Sequence, residues 1–167
     1  MENRPSAIEV LKKALLLEQQ GKAFYEHVAN GTKSKELKAI FLMMAEEEKK
    51  HIAIIREQFI HYNKTGKFNG QVTVTYPEQV VREILNDKIR GEISAAGFEA
   101  AAIAAAIDME NRAVIVYSER ASQTTDPVEK EVYRWLADWE IGHSKMLEEM
   151  NTAILEESWN DNNFWPF

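Results

Sequence analysis

The sequence contains no cysteine, which excludes disulfide bonds, zinc knuckles, iron–sulfur clusters and catalysis by a thiol. Histidine and carboxylates are therefore the strong metal ligands that remain. Positive charge is also in short supply, since the net charge is −7. A nucleic-acid-binding protein would be expected to have a basic face, so this charge argues against a nucleic-acid partner. No apolar run reaches the ~18 residues of a membrane-spanning helix, and residues 1–6 lack the apolar core of a secretory signal. We therefore expect a cytoplasmic protein that binds neither nucleic acid nor membrane.

The apolar content is sufficient for one folded domain. Hydrophobic residues make up 45% of the 167 residues, which argues against disorder and predicts a single domain over residues 1–167. Helical spacing and capping signals divide this domain into four helices. The predicted helices cover residues 7–30, 35–62, 98–122 and 127–157, with a long connection at 63–97 and an aromatic tail at 158–167.

Local signals mark several of these boundaries. Ser6-Ala7-Ile8-Glu9 reads as a capping box at the first start, and Asn30-Gly31 reads as a C-cap. Asp126-Pro127 is a strong start signal for the fourth helix. Within the connection, Pro77 suits the first position of a short helix that runs through Leu85.

The central motif is Glu48-Lys49-Lys50-His51, which places a carboxylate and an imidazole on one helix face, one turn apart. Alone, the motif carries little weight in a chain with so many glutamates. It recurs, however, as Glu140-Ile141-Gly142-His143. Each copy has a glutamate 30 residues upstream, Glu18 in the first and Glu110 in the second. The two halves superpose without a gap at an offset of 92 residues, which predicts two related helical hairpins.

The repeat also selects one of three consecutive glutamates as the ligand. Glu46 is five residues from His51 and lies off its face, whereas the repeat partner of Glu47 is Trp139. Of these three glutamates, Glu48 alone shares the face of His51 and has a glutamate, Glu140, as its repeat partner.

Tyr25 and Tyr117 are also repeat partners, and each lies seven residues after an upstream glutamate. Two helical turns keep each tyrosine on the face of that glutamate. Two interpretations stay open: a hydroxyl that orients a metal-ligating carboxylate, or a core tyrosine whose hydroxyl is bonded elsewhere. Trp135 and Trp139 are predicted to pack in the core.

The two glutamates of each hairpin are nearly equally far from its turn. We therefore expect the repeated residues to lie at the same height along the helix axes of the bundle. The connection at 63–97 is long enough to return along the bundle and start the second hairpin beside the first. These features predict an all-α four-helix bundle in which six residues meet: Glu18, Glu48, His51, Glu110, Glu140 and His143.

Four carboxylates buried close together would repel one another unless they were protonated or neutralised. Two divalent cations would balance the four negative charges. Oxygen-rich ligands with one imidazole per metal suit iron or manganese, and zinc could also bind. The set matches the one Glu from each of two helices and Glu-x-x-His from the other two that di-metal helical bundles use. We therefore predict that the six residues hold two metal ions and carry any catalytic chemistry.

These motifs resemble the rubrerythrin-like branch of the ferritin-like superfamily. The resemblance covers about residues 7–155 and implies a ferritin-like bundle with two iron ions in a non-haem di-iron centre. Similar proteins reduce hydrogen peroxide or dioxygen with electrons from an external donor, and a homodimer is expected. The motifs that carry it are Glu18 with Phe24-Tyr25, Glu48-Lys-Lys-His51, Met109-Glu110-Asn-Arg with Tyr117, and Glu140-Ile-Gly-His143.

The chain departs from that family in two respects. It lacks the four cysteines of a rubredoxin-like domain, so the donor is expected to be a separate protein, rubredoxin-like or other. Ala113 stands one turn after Glu110, where the family has a further carboxylate that exchanges with a histidine as the redox state changes. Two other functions stay open: iron storage by a ferritin-like ferroxidase, and metal binding without catalysis.

Overall fold

The computed structural model describes residues 6–70 and 97–160, and four long helices account for most of them. They are α1 (Ala7–Gly31), α2 (Lys35–Thr65), α3 (Phe98–Gln123) and α4 (Pro127–Asn160). No strand occurs within the described ranges, so the predicted all-α fold is confirmed. No helix in this part of the chain is long and apolar enough to cross a bilayer.

Two predicted helix starts are confirmed by their capping hydrogen bonds. The Ser6 hydroxyl accepts from the Glu9 backbone N–H at 3.3 Å, and the Glu9 carboxylate accepts from the Ser6 backbone N–H at 2.7 Å. At the start of α4, Asp126 Oδ1 accepts from the backbone N–H groups of Val128 at 2.8 Å and Glu129 at 3.1 Å. In each case a side chain satisfies N–H groups that the helix itself leaves free.

The predicted C-cap at Asn30-Gly31 is wrong. Gly31 is still helical, and the capping position is Thr32, whose φ of −76° is extended rather than left-handed. A Cβ on Gly31 would lie 2.9 Å from the ring of Phe98, so this glycine lets the start of α3 approach the end of α1. Tertiary packing therefore explains the residue better than a local cap does.

Two helices extend beyond their predicted ends. α2 continues to Thr65 and stops at Gly66. The φ of Gly66 is +69°, a left-handed conformation that glycine adopts without strain because it has no Cβ. α4 continues through Asn160, so the tail predicted at 158–167 begins with helical residues. Residues 161–167, and the short helix predicted at Pro77–Leu85, lie outside the described residues, and the single domain over 1–167 stays a prediction.

The helices pack as two hairpins, α1 with α2 and α3 with α4, and α1 also contacts α3. The contact of Gly31 with Phe98 places the start of α3 beside the end of α1, while Gly70 near Val128 places the start of α4 beside the end of α2. The chain therefore runs up, down, down and up, which is the predicted ferritin-like arrangement with one long crossover.

Two hydrophobic clusters fill the bundle, one towards each end. The repeat divides its pairs between them: Tyr25 and Phe41 lie in one cluster, and their partners Tyr117 and Tyr133 lie in the other. On every helix the predicted ligands fall between residues of the two clusters. A buried polar layer thus separates two apolar ones.

Candidate metal centre

The structure brings all six predicted ligands into this polar layer. None of these residues is more than 8% exposed, and four of the six are carboxylates. Burial of so many charges is costly unless partners compensate them. The six residues are Glu18 on α1, Glu48 and His51 on α2, Glu110 on α3, and Glu140 and His143 on α4.

Two overlapping groups of four residues could each hold a metal ion. Within each group, one ligand atom per residue lies within 4.8 Å of all the others. Glu48 and Glu140 belong to both groups, so their carboxylates stand between the two positions. Replacing each residue by its repeat partner, 92 residues away in either direction, converts one group into the other. The groups are Glu18, Glu48, His51 and Glu140, and Glu48, Glu110, Glu140 and His143.

Both histidines turn Nδ1 towards the carboxylates. His51 Nδ1 lies 2.9 Å from Glu18 Oε2 and 2.9 Å from Glu140 Oε1. His143 Nδ1 lies 3.2 Å from Glu140 Oε2 and 3.7 Å from Glu110 Oε1. Nδ1 is therefore the imidazole atom available to a metal in each group.

Burial and mutual repulsion raise the pKa values of two carboxylates in the cluster. Burial raises the pKa of Glu48 well above its usual range, and the charges of Glu18 and Glu140 raise it further. Burial and the charge of Glu140 raise the pKa of Glu110 to about 7. Protons held on these carboxylates reduce the repulsion within the cluster.

The pKa values of the two histidines are raised by neighbouring carboxylates, against the effect of burial. Burial alone would lower the pKa of His51 and of His143, but neighbouring carboxylates outweigh it. The pKa of His51 is raised well above its usual value, and that of His143 rises to about 9. Burial would raise the pKa of Glu140, but both imidazoles hold it low.

The donor set fits two divalent cations. Glu140 Oε1 lies 2.9 Å from His51 Nδ1 but has no partner with hydrogen-bond geometry, although the side chain is only 1% exposed. Buried polar atoms normally have a partner, and a metal ion would provide one. Two cations would also replace the protons that the cluster binds, because metal ligation requires the deprotonated forms.

Both tyrosines bond to ligand glutamates, but to those of the other hairpin. The Tyr25 hydroxyl on α1 donates to Glu110 Oε1 on α3. The Tyr117 hydroxyl on α3 donates to Glu18 Oε1 on α1. The geometry therefore agrees with the first of the two interpretations, a hydroxyl that holds a carboxylate. It adds that each hydroxyl holds a glutamate of the other hairpin, so the two hairpins exchange these bonds.

Trp139 has a place in the site that the sequence did not reveal. Its predicted burial is correct, and its indole nitrogen also lies 3.2 Å from His143 Nε2. Its ring also lies edge-on to that of His51, with the centroids 5.1 Å apart. Trp135 packs against Trp139 at 5.1 Å. The indoles therefore cover the histidine side of the centre.

Gly21 was also missed. It lies one turn after Glu18 and is the repeat partner of Ala113, a relationship that could have drawn attention to it. A Cβ at Gly21 would lie 3.2 Å from Cδ of Glu48. Ala113 is buried and lines the same cavity as the four ligand glutamates, so it faces the centre as expected.

Comparison with known proteins gives one match. A family model described as Rubrerythrin matches residues 9–151, a span that contains all six candidate ligands and both tyrosines. No curated protein matches the chain, and no solved structure does.

Proposed function

This chain belongs to the rubrerythrin family, and from that premise we propose that it is a non-haem di-iron oxidoreductase. Its proposed substrate is hydrogen peroxide or dioxygen. The observation that carries the proposal is the buried pair of repeat-related ligand groups that share Glu48 and Glu140. Iron is the proposed metal because the donors are mostly carboxylate oxygens with one imidazole per site, and manganese and zinc are the competitors.

When bound, iron would supply redox electrons and a binding place for the O–O group. All six residues would hold the two ions: Glu48 and Glu140 are available to both, and each remaining glutamate and histidine to one. Tyr25 and Tyr117 hold the outer glutamates in position. Burial and the adjacent carboxylates raise the pKa of both tyrosines well above the usual range, so the hydroxyls stay protonated and keep donating.

We propose that a separate redox protein delivers the electrons. The 167 residues contain no cysteine, so they cannot build a rubredoxin-like iron site of their own. A rubredoxin-like or other small donor would therefore dock on the surface. A homodimer and a cytoplasmic location are part of the same proposal and are supported by the family resemblance alone.

Metal analysis tests the centre first. Protein loaded with ferrous iron without oxygen, then desalted, should retain two irons per chain. Reduced protein freed of reductant should then consume one peroxide for every two irons oxidised. A retained ratio near zero would contradict the centre. Two bound irons that peroxide does not oxidise would indicate metal binding without catalysis.

Sedimentation tests the alternative of iron storage. A storage protein needs a hollow shell of many subunits and should take up iron far beyond two per chain. The proposed oxidoreductase should sediment as a small oligomer at every iron loading. A large shell that fills with iron would replace the proposal with storage.

A further inference from the structure

A small cavity lies between α1 and α3, directly over the candidate metal centre. The four ligand glutamates line it, together with Leu17, Met109, Gly21 and Ala113. Every one of these residues has its repeat partner in the lining, because Leu17 pairs with Met109 and Gly21 with Ala113 at the offset of 92. The cavity therefore sits on the approximate two-fold axis of the repeat, facing the midpoint between the two ligand groups.

The opposite side of the centre is closed. Trp139 is buried there, its indole nitrogen lies 3.2 Å from His143 Nε2, and its ring packs edge-on against His51. A molecule that approached from the α2–α4 side would have to displace this indole. The cavity between α1 and α3 is consequently the open approach to both ligand groups within the described residues.

The two small residues of the cavity are not equivalent. Ala113 carries a Cβ, whereas Gly21 carries none, and a Cβ at Gly21 would lie 3.2 Å from Cδ of Glu48 and 3.5 Å from each of its oxygens. A contact of 3.2 Å is tighter than ordinary packing allows without movement of the neighbour. The missing side chain of Gly21 thus leaves the space in front of Glu48, one of the two shared carboxylates.

The free space is small. The cavity has a volume of about 10 Å³, close to the least that holds one water molecule. Glu140, which has an unpartnered oxygen, is part of its lining. A ligand seated here would be only a few heavy atoms in size and would meet the carboxylates directly.

We propose that Gly21 and Ala113 together set the substrate size, Gly21 by leaving room at the centre for hydrogen peroxide or dioxygen, and the Ala113 side chain by helping to exclude hydroperoxides that carry an alkyl group. This inference rests on the proposed function. Peroxide reduction cleaves the O–O bond with two electrons, one from each ferrous ion, and two protons, and it yields two waters. An alkyl hydroperoxide needs the same electrons and protons, so its exclusion depends on size alone.

The test compares Gly21→Ala with Gly142→Ala. Gly142 is a matched control because it lies on α4 near the same layer, and an added Cβ there meets no atom within 4 Å. Three quantities are measured for each protein: iron per chain, affinity of the oxidised protein for azide by visible absorption, and turnover with hydrogen peroxide and with tert-butyl hydroperoxide. Azide serves as a small probe of the cavity that requires no turnover.

Gly21→Ala should keep two irons per chain but bind azide about tenfold more weakly and reduce hydrogen peroxide about tenfold more slowly, as expected for overpacking. Gly142→Ala should behave like wild type. Ala113→Gly tests the idea in the other direction and does not depend on whether Gly21→Ala folds. It should raise turnover of tert-butyl hydroperoxide relative to hydrogen peroxide.

Unchanged azide affinity and peroxide turnover in Gly21→Ala would overturn the inference while leaving the proposed function intact. So would an Ala113→Gly protein with wild-type selectivity. A wild-type chain that retains no iron would overturn the proposed function, and the inference would fall with it.

Discussion

Tyr25 on α1 donates its hydroxyl hydrogen bond to Glu110 on α3, in the opposite hairpin. The reciprocal bond runs from Tyr117 on α3 to Glu18 on α1. Each hairpin therefore holds one ligand glutamate of the other, and correct placement of both carboxylates requires that the hairpins be docked. This exchange links assembly of the bundle to the geometry of the centre.

Loss of one of these bonds should weaken the fold and the centre together. Tyr25→Phe should lower the free energy of unfolding of the metal-free protein by about 1–2 kcal/mol, because a buried carboxylate oxygen loses its donor. Iron affinity should also fall. Denaturant unfolding and competition with a chelator would measure the two effects.

Tyr133→Phe is the matched control for this prediction. Tyr133 is as deeply buried as Tyr25, but its hydroxyl has no hydrogen-bond partner. Its removal should be neutral or stabilising and should leave iron affinity unchanged. Equal losses in the two variants would show that hydroxyl burial, and not the bond to Glu110, governs stability.

Adjacent glutamates should differ in their effect on metal binding. Glu48→Ala removes a carboxylate that both ligand groups share and should abolish retention of both irons. Glu47→Ala should retain nearly two irons, because Glu47 is outside both groups and its Oε1 binds Lys50 Nζ at 2.6 Å. Iron per chain after desalting is the measurement. Comparable losses would mean that the ligand register on α2 is wrong.

The buried cluster of candidate ligands could be predicted from the sequence because its pattern occurs twice. A single Glu-x-x-His motif would not have distinguished Glu48 from Glu47. The second copy, in which Trp139 replaces Glu47, made the choice, and the structure places Glu48 in the cluster. Helical periodicity also predicted the four helices, with errors at their ends, where capping competes with packing.

Features that depend on contacts between helices were not predictable in the same way. Periodicity shows that Tyr25 shares a face with Glu18, but not that its hydroxyl reaches Glu110 on another helix. Gly31 reads as a cap because nothing in the local sequence reveals Phe98 beside it. Gly21 has no side chain to create a pattern, and although its repeat partner is Ala113, its closeness to Glu48 emerges only from the position of Glu48 in space.

Stability of the metal-free protein should fall as the pH rises through neutrality. The folded-state pKa of Glu110 is raised from 4.5 to about 7, and that of His143 from 6.5 to about 9. A raised folded-state pKa contributes stability that is complete below the ordinary value and is lost as the pH rises through the folded value. The lowered pKa of Glu140 acts in the opposite sense, and its contribution is lost only in acid.

Bound metal should reverse this trend, because metal ligation displaces the same protons and is favoured as the pH rises. The difference in Tm between iron-loaded and metal-free protein should therefore widen between about pH 5 and about pH 9. Anaerobic calorimetry at several pH values would measure it. A difference that is constant or that narrows over this range would contradict a shared buried site.

Ala113→Glu should have opposite effects on the two forms of the protein. Ala113 is buried, lies one turn after Glu110, and lines the cavity with the four ligand glutamates. A glutamate there would add a fifth buried carboxylate to the metal-free cluster, and its burial and its repulsion by the neighbouring carboxylates should lower the Tm below that of wild type. In the iron-loaded protein the same carboxylate would be a further oxygen ligand whose charge favours the ferric state, so oxidised iron should be lost more slowly to a chelator.

Ala113→Gln, of equal size but uncharged, is the control and should not slow the loss. If Ala113→Glu loses iron as fast as Ala113→Gln, the side chain at this position does not reach the metals.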